Sequence, residues 1–201
     1  LSLSSAASDV YKRQGVAGAM EIAEAFMLAK KEGFGPRRSI LVMPVSGEEK
    51  GLLGSKYYTD NPIYPLEKTV ANLNIDMIGR LDDWHSTGNY VYLIGSDRLS
   101  YDLHNINEEI NKKYTGLELD YKYNDEEDPN RYYYRSDHYN FAKNNIPVIF
   151  YFNGVHEDYH RPSDTIEKLD FNKIKNITKL VFLTAWELAN REERISLRND
   201  L

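Results

Sequence analysis

The sequence predicts an α/β domain built on a largely buried, partly parallel sheet. Three observations carry that expectation. Two unbroken apolar runs, residues 39–45 and 146–152, read as strands covered on both faces rather than on one. Stretches with helical periodicity separate the strand runs, as parallel crossovers require. Acidic residues follow strand runs at Glu48, Glu49 and Asp76, at the ends where open α/β sheets hold their ligands.

Taken in order, the chain opens on a segment that does not look native. Residues Asp9-Val10-Tyr11-Lys12-Arg13-Gln14 resemble the translation of a transposon-end adapter used in sequencing libraries. Residues 1–14 are therefore expected to be a read-through scar, left out of fold reasoning, with any signal segment lost alongside the true amino-terminal part. Residues 15–31 are good helix formers, with Val16, Met20, Ala23 and Met27 on one face, stopped by Gly33 and Gly35-Pro36. The buried strand 39–45 follows, then Glu48-Glu49 and a short helix to Tyr58, broken at Asn61-Pro62. Residues 69–77 and 90–95 read as strands, 98–114 as an amphipathic helix, and 117–123 as an edge strand. A polar loop at 124–130 leads through Tyr132-Tyr133-Tyr134-Arg135 into a short helix opened by Ser136-Asp137-His138. Strand 146–152, a polar loop at 153–165 and a last helix over about 171–194 complete the chain.

Composition narrows the chemistry. The chain has 201 residues, enough for one domain with a sizeable core. A net charge of −6 without a basic block argues against nucleic acid as a partner. No apolar run approaches the ~20 residues of a membrane helix. With Cys 0, there is neither a disulfide framework nor a thiolate site, so any metal must use His, Asp and Glu.

Three positions recur at similar structural places. Glu48-Glu49 follows one strand, Asp76 ends the next, and His160 lies in the loop after a third. Neighbouring carboxylates diverge, so one of the Glu pair could hold a metal while the other faces the water to be activated. Glu48 and Glu49 also suit a plain acidic helix start. Asp76 in an apolar strand is costly unless a cation or several donors meet it, or it caps the turn at Gly79. His160 alone would read as a surface histidine.

The segments 46–55 (with Glu48-Glu49), 74–79 (with Asp76), Ser136-Asp137-His138 and 158–165 (with Tyr159-His160) together resemble the dizinc aminopeptidase family, metallopeptidase family twenty-eight, in the right order over about residues 15–194. The resemblance implies a three-layer zinc-exopeptidase (phosphorylase/hydrolase-like) α/β fold with a mixed, mostly parallel central sheet, its first strands missing. Residues 15–201 would be the carboxy-terminal part of a single peptidase catalytic domain. It further implies two zinc ions per intact domain, a peptide substrate, and export from the cytoplasm. Carried over residue by residue, it makes Glu48 the general base, Glu49 and His160 ligands to one zinc, Asp76 a ligand to the other, and Tyr159 a donor to the developing oxyanion.

The same resemblance calls for two more ligands, a His in a His-x-Asp motif and a bridging Asp, both just before residue 15. The apparent scar stands there; Asp9 lies near, but its neighbours do not match. The intact parent is expected to be a zinc exopeptidase, most simply an aminopeptidase, and this chain to be metal-deficient and inactive. Glutaminyl cyclisation on one zinc, or a non-catalytic receptor-like domain on the same fold, are the alternatives. Around this set, Asp137 and His138 either support the metal shell or follow Ser136 as a helix cap, with capping favoured. Arg135 either clamps a substrate carboxylate or is a surface residue. Asp164 either orients His160 as an acceptor or begins a turn. His156 precedes His160 by a helical ligand spacing, although Pro162 disfavours a helix. Tyr132 and Tyr134 either line the cleft or pack, and His85 and His104 read as surface residues.

Overall fold

The computed structural model describes residues 2–6 and 10–200. Among them, six strands form one sheet: β1 (Ser2–Ala6), β2 (Leu41–Val45), β3 (Asn72–Ile75), β4 (Tyr90–Ile94), β5 (Glu118–Asp120) and β6 (Val148–Phe152), in the order β2-β1-β3-β6-β4-β5. The first four in that order run parallel, while β4 is antiparallel to β6 and carries β5 parallel to itself. This is the mixed, mostly parallel α/β sheet that the sequence implies. Five α-helices cover it: α1 (Val10–Lys31), α2 (Leu53–Asp60), α3 (Tyr101–Tyr114), α4 (His138–Ala142) and α5 (Phe171–Asn190).

Strand alternation sorts the core into two halves. Leu73 and Ile75 of β3, Val91 and Leu93 of β4, and Ile149 and Tyr151 of β6 face α1, α3 and α5, meeting Ile22, Phe26, Leu103, Ile106, Ile177 and Leu180. Tyr92, Ile94, Phe150 and Phe152 face the opposite side, where Phe141 and Ala142 of α4 and Tyr58 of α2 pack. The architecture is thus three layers, helix on sheet on helix. Side-chain caps fix two helix starts: Ser100 accepts from the Leu103 amide at 3.3 Å, and Asp170 from the Lys173 amide at 2.9 Å.

Several expectations shift. Within the segment expected to be a scar, Ser2–Ala6 pairs with both β2 and β3, and α1 starts at Val10. Without β1, the facing edges of β2 and β3 would carry unmatched ladder groups. Asp9 lies outside the described residues. The apolar run 39–45 predicts a strand buried on both sides; β2 is instead an edge strand and mostly half-buried. Helix α1 turns Ala19, Ile22 and Phe26 inward, because Phe26 packs on Phe182 and Trp186 of α5. Met20 and Met27, grouped on one face by the sequence, are left 62% and 71% exposed. His85 is no surface residue: it stacks on Tyr90 with ring centroids 3.5 Å apart and places Nδ1 2.9 Å from Asp82 Oδ1.

Candidate metal centre

Parallel pairing of β2, β1, β3 and β6 brings the carboxyl ends of β2, β3 and β6 to one rim of the sheet. Each ends in a candidate residue. After β2 the chain reverses at Gly47, whose φ of 69° lies in the left-handed region that glycine tolerates, and enters the 3-10 turn Glu48–Lys50. Gly54 then passes so close to the preceding strand end that a Cβ there would sit 2.7 Å from the Ser46 carbonyl oxygen. Glu48 is buried at 8% exposure, while the Glu49 side chain is 34% exposed. The two carboxylates of one short turn therefore occupy different environments.

Asp76 follows β3, is 4% exposed, and is held by its amide, which donates to the Tyr151 carbonyl at 3.3 Å. The loop after β6 is tied to the same exit by the Asn153 amide, which donates to the Met77 carbonyl at 2.8 Å. That loop carries Tyr159 and His160, the latter at a φ of 60°. His160 Nε2 stands 3.3 Å from Glu49 Oε1. Glu48, Glu49, Asp76, Tyr159 and Arg135 line one cleft of about 470 Å³, walled by Tyr132, Tyr134, Tyr139 and Phe152. Tyr133 turns away into the core. Glu48, Glu49, Asp76 and Tyr159 thus share a single cleft, and His160 reaches its edge through Glu49.

Behind the cleft lies a polar layer that the sequence read differently. Ser136 does not cap α4. Its hydroxyl donates to Asp76 Oδ2 at 3.0 Å and accepts from the Asn74 side-chain amide at 2.9 Å. Asp137 is fully buried and accepts from Ser55 Oγ at 2.5 Å. Asn140 donates to the same Ser55 hydroxyl at 2.8 Å and to the Leu52 carbonyl at 3.2 Å. Helix α4 thereby grips the turn that presents Glu48 and Glu49. His138 is fully buried and stacked on Phe150 at 4.7 Å, and burial pushes its imidazole down to about 3, so it stays neutral. The signal for this layer was present in the sequence: Asn72 and Asn74 interrupt an otherwise apolar strand, and buried amides need partners.

A second cluster, centred on Arg80, lies under the His160 loop. Arg80 donates to Asp158 Oδ2 at 2.6 Å and also pairs with Asp164 Oδ1. Asp164, a candidate to orient His160, is engaged by the buried Arg80 guanidinium. Lys168 donates to both oxygens of Asp158 at 2.8 Å. The Arg80 and Lys168 hydrogen bonds hold the Asp158 carboxyl below its ordinary range. His156, 6% exposed, sits in the same cluster with its basicity lowered by burial.

The residues at the rim suit a metal of the zinc type. The donors are carboxylate oxygens and an imidazole, with no thiolate anywhere in the chain, a set characteristic of catalytic rather than structural zinc. Two donors about 2.0–2.2 Å from one tetrahedral ion stand roughly 3.3–3.6 Å apart. The observed Glu49–His160 separation of 3.3 Å meets that requirement.

Fold and rim together define a domain with the architecture of the zinc aminopeptidases. A zinc aminopeptidase from Bacillus subtilis superposes with a TM-score of 0.75 at 20% identity, over 99% of this chain and 49% of that one. A glutaminyl cyclase from Porphyromonas gingivalis shares the fold at a TM-score of 0.66 and 19% identity, over 92% of this chain and 72% of that one. The model of Peptidase family M28 matches residues 14–185, and the chain belongs to that family. A probable leucine aminopeptidase from Arthroderma benhamiae is 34% identical over 148 residues, which are 72% of this chain and 37% of that relative. The chain thus spans about half or less of the length of these aminopeptidase relatives.

Proposed function

We propose that this chain carries the base, the phenol donor and three metal ligands of a dizinc exopeptidase, most simply an aminopeptidase, that hydrolyses a peptide bond. The observation that carries this is the approach of His160 Nε2 to Glu49 Oε1, 3.3 Å, with Glu49 lining the same cleft as Glu48 and Asp76. Glu49 and His160 would hold one zinc and Asp76 the other. Zinc bound there supplies a water of near-neutral acidity and a polarised carbonyl.

The chain's own groups divide the remaining work. Glu48, the more buried carboxylate of the turn, takes a proton from the attacking water and returns it to the leaving amine nitrogen. Tyr159 directs its hydroxyl toward the carbonyl oxygen as charge develops on it. The aromatic walls, Tyr132, Tyr134 and Tyr139, exclude water from the scissile bond, and Arg135 offers a guanidinium to a substrate carboxylate.

Three ligands are fewer than the five the family resemblance implies, so the 201-residue chain is expected to bind zinc weakly and to be inactive. Isothermal titration with zinc chloride, alongside a chromogenic amino-acid amide, tests this. Weak uptake that perturbs the His160 imidazole, without turnover, is the expected result. A tight two-zinc isotherm would refute the deficiency, and a His160 resonance indifferent to zinc would sink the metal reading itself. A second reading has one observation in its favour: three protein donors plus water complete a single catalytic zinc. Cyclisation of an amino-terminal glutamine peptide, with one zinc bound per chain, would select glutaminyl cyclase chemistry instead.

A further inference from the structure

Arg80 stands four residues beyond Asp76, and its side chain is only 9% exposed. Its backbone is pinned at the strand exit, the amide donating to Asn153 Oδ1 at 2.9 Å. Its guanidinium reaches Asp158 on one side, at 2.6 Å, and Asp164 on the other. Those two carboxylates bracket the segment that contains Tyr159 and His160.

Between the brackets the backbone is a succession of single turns. The Tyr159 amide donates to the His156 carbonyl at 3.0 Å, Arg161 to Asp158 at 2.9 Å, and Asp164 to Arg161 at 3.1 Å. No regular element holds this segment, and His160 sits at a φ of 60°. A non-glycine residue persists in that conformation only where its surroundings over-determine it. The salt-bridged ends supply such surroundings. Lys168 reinforces one end through Asp158 but does not span to the other. A planar guanidinium can serve two carboxylates at once, which an ammonium on a single stem does poorly.

The same cluster has a rival reading. His156, Asp158 and Asp164 are all buried and offer ligand atoms within 4.8 Å of one another, as a cation site would. Both carboxylates, however, already face the cations Arg80 and Lys168. A divalent ion added there would set four positive charges, Lys168 the most exposed of the side chains, against the two negative ones, an unfavourable balance.

We propose that Arg80 is a positioning residue that couples the exit of β3, which presents Asp76, to the loop that presents Tyr159 and His160. By tying Asp158 to Asp164 it fixes the turn that brings His160 to Glu49. The metal consequence rests on His160 being a zinc ligand; the structural clamp does not.

The test uses the 201-residue chain, isotopically labelled for NMR. Arg80→Lys keeps the charge and loses the fork; Asp164→Asn weakens one arm and leaves the Arg80–Asp158 pair. Amide hydrogen exchange at Tyr159, Arg161 and Asp164 is expected to quicken at least ~10-fold in Arg80→Lys, with Leu73 and Ile149 in the sheet keeping wild-type rates. The zinc concentration that shifts His160 is expected to rise about 10- to 100-fold, as for removal of groups that orient a ligand. Asp164→Asn should change both in the same direction, and it decides the matter if Arg80→Lys does not fold. Unchanged exchange at the three amides, or a rise matched at Leu73 and Ile149, would overturn the proposal. So would zinc shifting His156 in preference to His160, which would assign the cluster to a metal. If zinc leaves wild-type His160 unmoved, the zinc reading fails and the exchange data still judge the clamp.

Discussion

The Ser136 hydroxyl donates to the Asp76 carboxylate across 3.0 Å of buried space, although 60 residues separate them in the chain. The contact joins the entry to α4 to the end of β3. It gives a carboxylate at the rim a donor within the protein itself, and it fixes the direction from which Asp76 can meet a cation.

Ser136→Ala removes that donor and also the acceptor that Ser136 offers the Asn74 side-chain amide. The expected cost is about 1–3 kcal/mol, the range for losing hydrogen bonds between buried polar groups. Urea denaturation at neutral pH measures it; a change below the error of the fit would show that these groups find other partners.

The roles proposed for Glu48 and Glu49 can be separated by binding alone. Glu49→Gln removes a ligand and should weaken zinc uptake by at least roughly 10-fold, whereas Glu48→Gln should stay within about 2-fold of wild type. Titration calorimetry on the two variants checks this. Equal losses would mean that both carboxylates bind metal, and that Glu48 is not the base.

Buried His138 makes stability depend on pH. Its imidazole is pushed from 6.5 down to about 3 by burial, so between those values the unfolded chain binds a proton that the native chain refuses. Stability should therefore fall as pH drops below about 6.5, by up to ~1.4 kcal/mol per pH unit from this group. His138→Phe, which keeps the stacking surface against Phe150, should flatten that slope in denaturation curves collected from pH 7 to pH 4. An unchanged slope would show that other groups carry the acid sensitivity.

Lys173 acts at the other end of the scale. It is 1% exposed, donates to the Tyr90 carbonyl at 3.0 Å, and is pushed from 10.5 down to about 7 by burial. Above about 7 the native chain releases a proton that the unfolded chain keeps, so stability should rise with pH until tyrosine ionisation intervenes near pH 10. Lys173→Met is expected to be at least as stable at pH 7 and to lose this rise. A steeper rise in the variant would contradict the assignment.

Residue order alone carried the α/β class, the strands followed by acidic groups, the family motifs and the candidate ligands. Those features are local: apolar runs, helical spacing and a few side chains of fixed chemistry. The tertiary structure decided which polar groups meet. Ser136 reads as a cap in sequence and proves to be the partner of Asp76. Arg80 carries no sequence signal of its own and proves to bridge Asp158 and Asp164, 78 and 84 residues away. Met20 and Met27 look inward on a helical wheel but face solvent, because Phe26 claims the contact with α5. Sequence spacing says nothing of such pairings, since the sheet order, β2-β1-β3-β6-β4-β5, sets which distant segments share a rim. Only the folded chain fixes where a buried charge finds the partner that burial obliges it to have.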